Sequence, residues 1–242
     1  IAGPGADQYE SRDSLTFTSR LTVDYSAYTE PVSVTQREWE SAAVVGDDGA
    51  VGEHDDVRSV YSVIGGAGDD RLQGARYAVG ERLLSGGPGN DVLEGGGGSD
   101  VLDGGPGADR MSGGAFTDLV TYEGRSAPVS LTPDGKADDG EQGEGDSIAD
   151  DVEDLRGGSG DDLLASSASG NKLDGGPGTD AVSYASSALP VRVTLAPSGG
   201  KADDGAENEA DDLVAIEHVK GGPFDDVLVG SPGADVLEGG GG

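Results

Sequence analysis

The sequence contains no cysteine, so disulfides do not hold the fold, and the redox compartment cannot be read from that absence. Aromatic residues make up 5% and apolar residues 34% of its 242 positions, which leaves a thin core by globular standards. Basic side chains are scarce: 15 stand against 47 acidic ones, for a formal charge of −32. Such acidity argues against nucleic acid or anionic membrane as partners, and on its own it pushes a chain toward disorder. No apolar run reaches the length of a transmembrane helix and no signal peptide is visible, so membrane insertion is not expected. The only histidines, His54 and His218, lie far apart. No HExxH, GxSxG, phosphate-binding loop or helix-opening GxGxxG accompanies them, and no catalytic residue is expected.

What the chain has instead is glycine, 45 residues of it. From Gly86 to Thr121 it reads GGPGNDVLE, GGGGSDVLD, GGPGADRMS, GGAFTDLVT, four blocks of nine with nothing between them. Each block opens on two glycines. Each has aspartate sixth (Asp91, Asp100, Asp109, Asp118) and an apolar residue eighth (Leu93, Leu102, Met111, Val120). Glycine permits the positive-φ turns that a Cβ opposes, so the first six residues can gather several backbone carbonyls beside one carboxylate. Oxygen ligands of that kind suit Ca²⁺, which accepts six to eight in flexible geometry. The last three residues alternate in facing, so the eighth points inward. Two blocks then make one coil, and each block stacks on the next but one. A flexible linker has no reason to keep an apolar residue at every ninth position. The EF-hand pattern is absent, so calcium enters through these turns or not at all.

These blocks follow the GGxGxDxUx pattern, and the chain resembles the RTX family of calcium-binding β-roll proteins. The resemblance implies an all-β fold, a parallel β-roll or β-solenoid with calcium-binding glycine-rich turns, and several bound Ca²⁺ ions. Its metal ligands would be the sixth-position aspartates Asp7, Asp70, Asp91, Asp100, Asp109, Asp118, Asp162, Asp180, Asp226 and Asp235. Turn carbonyls such as those of Gly87, Gly89, Gly105 and Gly107 would complete the sites. Phe116 and Phe224 depart from the pattern by replacing the fourth-position glycine, and the degenerate blocks 74–85 and 166–174 lack the aspartate.

A longer unit occurs three times, over residues 21–66, 118–158 and 180–222. Each copy pairs a β-rich segment ending PVSVT, PVSLT or PVRVT with an acidic loop that opens DDG. Each then delivers the chain back into nonapeptides, in runs 65–121, 157–183 and 221–242. Within the loops Asp55, Asp146 and Asp211 have Val57, Ile148 and Leu213 two positions on, the spacing of the sixth and eighth places, which makes them further candidate ligands. The units also resemble the longer IENVxGG-ending segments found among RTX arrays. They are expected to be three enlarged coils of one continuous solenoid over residues 1–242. Trp39 belongs to an extra polar piece of the first copy and is expected to pack rather than to function.

The sequence thus points to an extracellular, secreted or cell-surface calcium-binding structural repeat protein that folds on binding Ca²⁺. It would be part of an adhesin, a surface layer or a filament. A second reading makes it the calcium-binding C-terminal region of a larger secreted protease or lipase. The chain begins inside a repeat-like AGPGAD, at Ile1 rather than Met, and ends on GGGG, so end-to-end association with itself is expected beside the possibility of a fragment.

Overall fold

A computed structural model describes residues 8–10, 21–36, 48–50, 55–58, 60–76, 80–166, 170–195, 204–206 and 210–242. All regular structure among them is strand, most of it three residues long and paired in parallel. No helix there is long and apolar enough to cross a membrane. The chain divides into two compact units, Ile1–Leu119 and Val120–Gly242.

In the first unit, strands Thr22–Asp24, Ser62–Ile64, Leu83–Ser85 and Val101–Asp103 follow one another in one parallel sheet. Val32–Thr35, Arg71–Gln73, Val92–Gly97 and Arg110–Ala115 do so in another. Successive blocks alternate between the two sheets. Leu102 therefore pairs with Leu84 and Met111 with Leu93, each block on the next but one, as the nine-residue period requires. The eighth-position side chains Leu72, Leu84, Leu93, Leu102 and Met111 are 2% exposed or less, while their strand neighbours are partly open. Burying each contributes roughly 1.5–3 kcal/mol.

The second unit repeats the scheme. Asp154–Arg156, Lys172–Asp174 and Asp212–Val214 form one parallel series. Val129–Leu131, Leu163–Ala165, Ala181–Ser183, His218–Lys220 and Val236–Glu238 form another, and Val191–Thr194 pairs with Val227–Val229. Leu155, Leu173 and Leu213 line the inside of the first series, and Leu131, Leu164, Val182 and Val219 that of the second. The long units are enlarged coils of the roll. Their strands keep the parallel register, and two residues of each acidic loop pair antiparallel with the β-rich segment. Gly49–Ala50 pairs on Val32–Thr35, Gly140–Glu141 on Val129–Leu131 and Gly205–Ala206 on Val191–Thr194.

The turns need glycine for room as well as for φ. Gly107 sits at φ +151°, and a Cβ there would overlap the carbonyl oxygen of Gly89 in the coil before. Phe116 meets the same demand without being glycine: it holds φ +83° and is 66% exposed. The turn overrides the side-chain preference, at a cost of about 1–2 kcal/mol for a non-glycine residue in that region. Part of the relief would be offset by the greater freedom of glycine in the unfolded chain. Phe116→Gly is therefore expected to stabilise the calcium-loaded chain by roughly 0.5–1 kcal/mol, measured by urea denaturation. A loss of stability would mean that the exposed ring makes contacts worth more than its strain.

Candidate metal centre

Along the glycine turns the sixth-position carboxylates form ladders from coil to coil. Asp91 Oδ1 accepts the Asp70 N–H at 2.7 Å, Asp109 Oδ1 that of Asp91 at 2.7 Å, and Asp118 Oδ1 that of Asp100 at 2.7 Å. In the second unit Asp180 Oδ1 accepts the Asp162 N–H at 2.8 Å. All these aspartates are buried. One oxygen of each accepting carboxylate thus ties two coils together.

The second oxygen has a different setting. Oδ2 of Asp91, Asp100 and Asp180 is buried and accepts no hydrogen bond. It is also turned toward other acceptors. A Cβ built on Gly86 would strike both Asp91 Oδ2 and the Gly104 carbonyl oxygen, and one on Gly95 would strike Asp100 Oδ2 and Gly113 O. The absent Cβ leaves a cradle in which a carboxylate and a backbone carbonyl of the next coil face the same point. Further carbonyls lie alongside: those of Gly66 and Gly68 face Gly87 and Gly89, and those of Gly87 and Gly89 face Gly105 and Gly107. A buried carboxylate oxygen with no donor costs several kcal/mol unless a cation meets it. Among the described residues no three carboxylate or imidazole side chains converge, so an ion here would draw most of its oxygens from the backbone. A hard cation that accepts many neutral oxygens and one or two carboxylates fits this donor set.

The first aspartate after each long unit is bonded differently. Asp70, Asp162 and Asp226 each accept a strand N–H on Oδ1 (Val32 at 2.8 Å, Val129 and Val191 at 2.9 Å). On Oδ2 they accept the N–H of Gly66, Gly158 and Gly222. These three fasten the long unit to the nonapeptide below it. Asp235 accepts the Ser231 hydroxyl at 3.0 Å, and Asp7 lies outside the described residues.

The acidic loops are built around a tyrosine. Tyr25, Tyr122 and Tyr184 point into the enlarged coils, and their hydroxyls donate to Asp55 (3.0 Å), Asp146 (2.6 Å) and Asp211 (2.9 Å). Desolvation and the Asp146 charge push the Tyr122 phenol well above its ordinary value, which keeps it a donor. The second aspartate of each DDG escapes the nonapeptide count. Asp48, Asp139 and Asp204 are buried and accept the N–H of Thr35, Thr132 and Thr194. Asp48 and Asp139 also accept from Val57 and Ile148, closing the loop. The threefold recurrence of DDG is the signal that could have found them. Glu217 is a second residue that the aspartate pattern misses: it accepts the Asp180 N–H at 2.9 Å where other coils use aspartate. Its place two residues before buried Val219 marks it as a sixth position.

Burial raises Asp91 and Asp100 to about 7 and Asp180 to about 6 in the ion-free chain, with neighbouring carboxylates adding to the effect. Their ordinary value is 3.8, so between the two values the folded state binds more protons than the unfolded one. The ion-free fold then gains stability as pH falls from above 7 toward 4 and loses it as pH rises through 6–7. In excess chelator, far-UV circular dichroism is expected to show more strand near pH 5 than at pH 8. More strand at pH 8 would contradict the burial of these groups. With Ca²⁺ present the sign reverses, because protons compete for the same oxygens.

The profile of the RTX calcium-binding nonapeptide repeat matches the chain in four copies, over residues 62–76, 85–120, 149–183 and 216–242. No curated protein matches it. The matched stretches hold the ladder aspartates and the glycine cradles just described. Over those residues the chain carries RTX calcium-binding nonapeptide repeats, and Ca²⁺, as several ions, is its cofactor.

Proposed function

We propose that the chain is an extracellular structural element without catalytic activity of its own, which folds on meeting Ca²⁺ and then associates end to end as part of an adhesin, surface layer or filament. The observation that carries the calcium part is the donorless Oδ2 of Asp91, Asp100 and Asp180 set against backbone carbonyls. The ions are assigned to the turns bearing Asp91, Asp100, Asp109, Asp118 and Asp180, with Gly87, Gly89, Gly105 and Gly107 supplying carbonyls. Asp70, Asp162 and Asp226 share those turns, but both their oxygens already hold N–H groups. Asp55, Asp146 and Asp211 are assigned to the tyrosine bond rather than to an ion. Extracellular modules bind Ca²⁺ at roughly 10⁻⁴ to 10⁻³ M, well above cytosolic levels, so such a chain would stay unfolded until export.

Titration calorimetry and light scattering on the purified chain test both parts. Uptake of several ions followed by calcium-dependent growth in mass is expected. Absence of calcium uptake would end the reading, and a monomer at every concentration in millimolar Ca²⁺ would remove the filament while leaving the calcium-dependent fold.

A further inference from the structure

The coil through residues 80–85 has no aspartate at its sixth position. Counting back from buried Leu84, that position is Arg82. Its backbone behaves as an aspartate's would: the Arg82 N–H donates to Asp100 Oδ1 at 2.8 Å, as the Asp91 N–H does to Asp109 Oδ1. Gly80, two residues before it, stacks against Gly98, the fourth residue of its own block, and a Cβ on Gly98 would overlap Gly80 O. The turn therefore keeps the register of an ion-binding turn.

The side chain reverses the chemistry. The half-buried guanidinium donates from Nη1 to the carbonyls of Gly80 at 3.1 Å and Glu81 at 3.3 Å, and from Nε to Gln36 Oε1 at 3.2 Å. Burial lowers its basicity, and the nearby Asp100 charge opposes that. The fourth-position carbonyl and a neighbouring carboxylate are among the groups that would face a cation in the intact turns, as Gly68 O and Gly89 O do beside Asp91 and Asp109. Here the Gly80 carbonyl receives a side-chain N–H donor, and the Asp100 carboxylate has near it a fixed positive charge that arginine does not lose.

We propose that Arg82 is a built-in cation, which takes in this coil the part that Ca²⁺ takes in the aspartate-bearing coils and so makes the coil independent of the ion. This rests on the reading that sixth-position aspartates hold Ca²⁺. The second unit has a neutral counterpart in its own degenerate block. Asn171, two residues before buried Leu173, donates through Nδ2 to the Glu153 carbonyl, while its N–H goes to Asp211 Oδ1 at 2.9 Å. In both places a side chain that only accepts has been exchanged for one that also or only donates, Asn171 still accepting the Ser166 hydroxyl on Oδ1 at 3.2 Å. In a solenoid each coil gains stability mainly from its neighbours, so a coil that forms without an ion is a platform for those that need one. Leu83–Ser85 lies between Ser62–Ile64 and Val101–Asp103 and can serve both.

Two measurements test this. Arg82→Asp restores the carboxylate and should bind about one Ca²⁺ more than the native chain by calorimetry, whereas Arg82→Ala should gain none. In native chain at sub-saturating Ca²⁺, amides of Leu83–Ser85 should exchange about tenfold more slowly than those of Val92–Gly97. An Arg82→Asp chain with the native ion count would overturn the proposal. If that variant does not fold, uniform exchange across the two strands in the native chain overturns it instead. Asp109→Ala, run alongside, separates the two readings. Loss of ions there with no gain at Arg82→Asp defeats only the arginine, and a native chain that takes up no calcium defeats both.

Discussion

Excess chelator is expected to unfold most of the chain. The opposing terms are visible in the sequence and sharpened by the structure. A charge of −32 repels itself throughout, and apolar content of 34% gives each coil little more than one buried aliphatic residue per strand. Around that thin core the buried aspartates stack in ladders, and Asp91, Asp100 and Asp180 keep an oxygen that accepts no hydrogen bond. Without a cation each such oxygen has lost its water and gained nothing, a penalty of about 1–3 kcal/mol apiece and more where the group is charged. Several of them together rival the roughly 5–15 kcal/mol by which ordinary domains are stable. Far-UV circular dichroism at neutral pH should therefore lose most of its strand signal in excess EGTA and regain it on adding Ca²⁺. A strand-rich spectrum unchanged by EGTA would mean that the acidic ladder is tolerated without ions.

Much of the roll is legible in the residues themselves, for a physical reason. The nine-residue period fixes the backbone path, so the sixth and eighth positions of the perfect run translate directly into ladder and core: Asp100 and Leu102 are buried where the count places them. The enlarged coils are harder. Their β-rich segments are recognisable by alternation, but the antiparallel return of Gly140–Glu141 onto Val129–Leu131 is accompanied by Asp139 accepting the N–H groups of Thr132 and Ile148, which the nonapeptide count does not reveal and only the recurrence of DDG hints at. The tyrosine that spans each enlarged coil is equally hidden. Tyr122 follows Thr121 where an intact repeat would place its first glycine, and only in the folded coil does its hydroxyl reach Asp146. The degenerate block 74–85 conceals Arg82 because its length breaks the count from the preceding repeat. Counting backward from Gly86 recovers it.

The site assignment meets its sharpest test at Asp109. Its side chain is fully buried and lies mid-run, with Gly104 at its back and Asp91 in the coil before it. Asp109→Ala removes the acceptor of the Asp91 N–H, leaving that buried donor unpaired for about 1–3 kcal/mol. On the proposed assignment it also takes a carboxylate from turns shared with the neighbouring coils, so the carbonyls gathered there lose their ion. About one to two fewer Ca²⁺ ions and a total loss of a few kcal/mol are expected, the scale of losing a metal site. Asp134→Ala is the matching control. That carboxylate is exposed, outside any sixth position, and bonded only within its own turn to Lys136. Exposed pairs of that kind contribute about 0–1 kcal/mol, so the ion count should not move and stability should hardly change. If Asp109→Ala kept the native ion count while losing only the hydrogen bond's worth of stability, Asp109 would be a backbone fastener like Asp70, and the ions would have to be held elsewhere. If both variants lost ions equally, the effect would be one of net charge, and the sixth position would have no special claim.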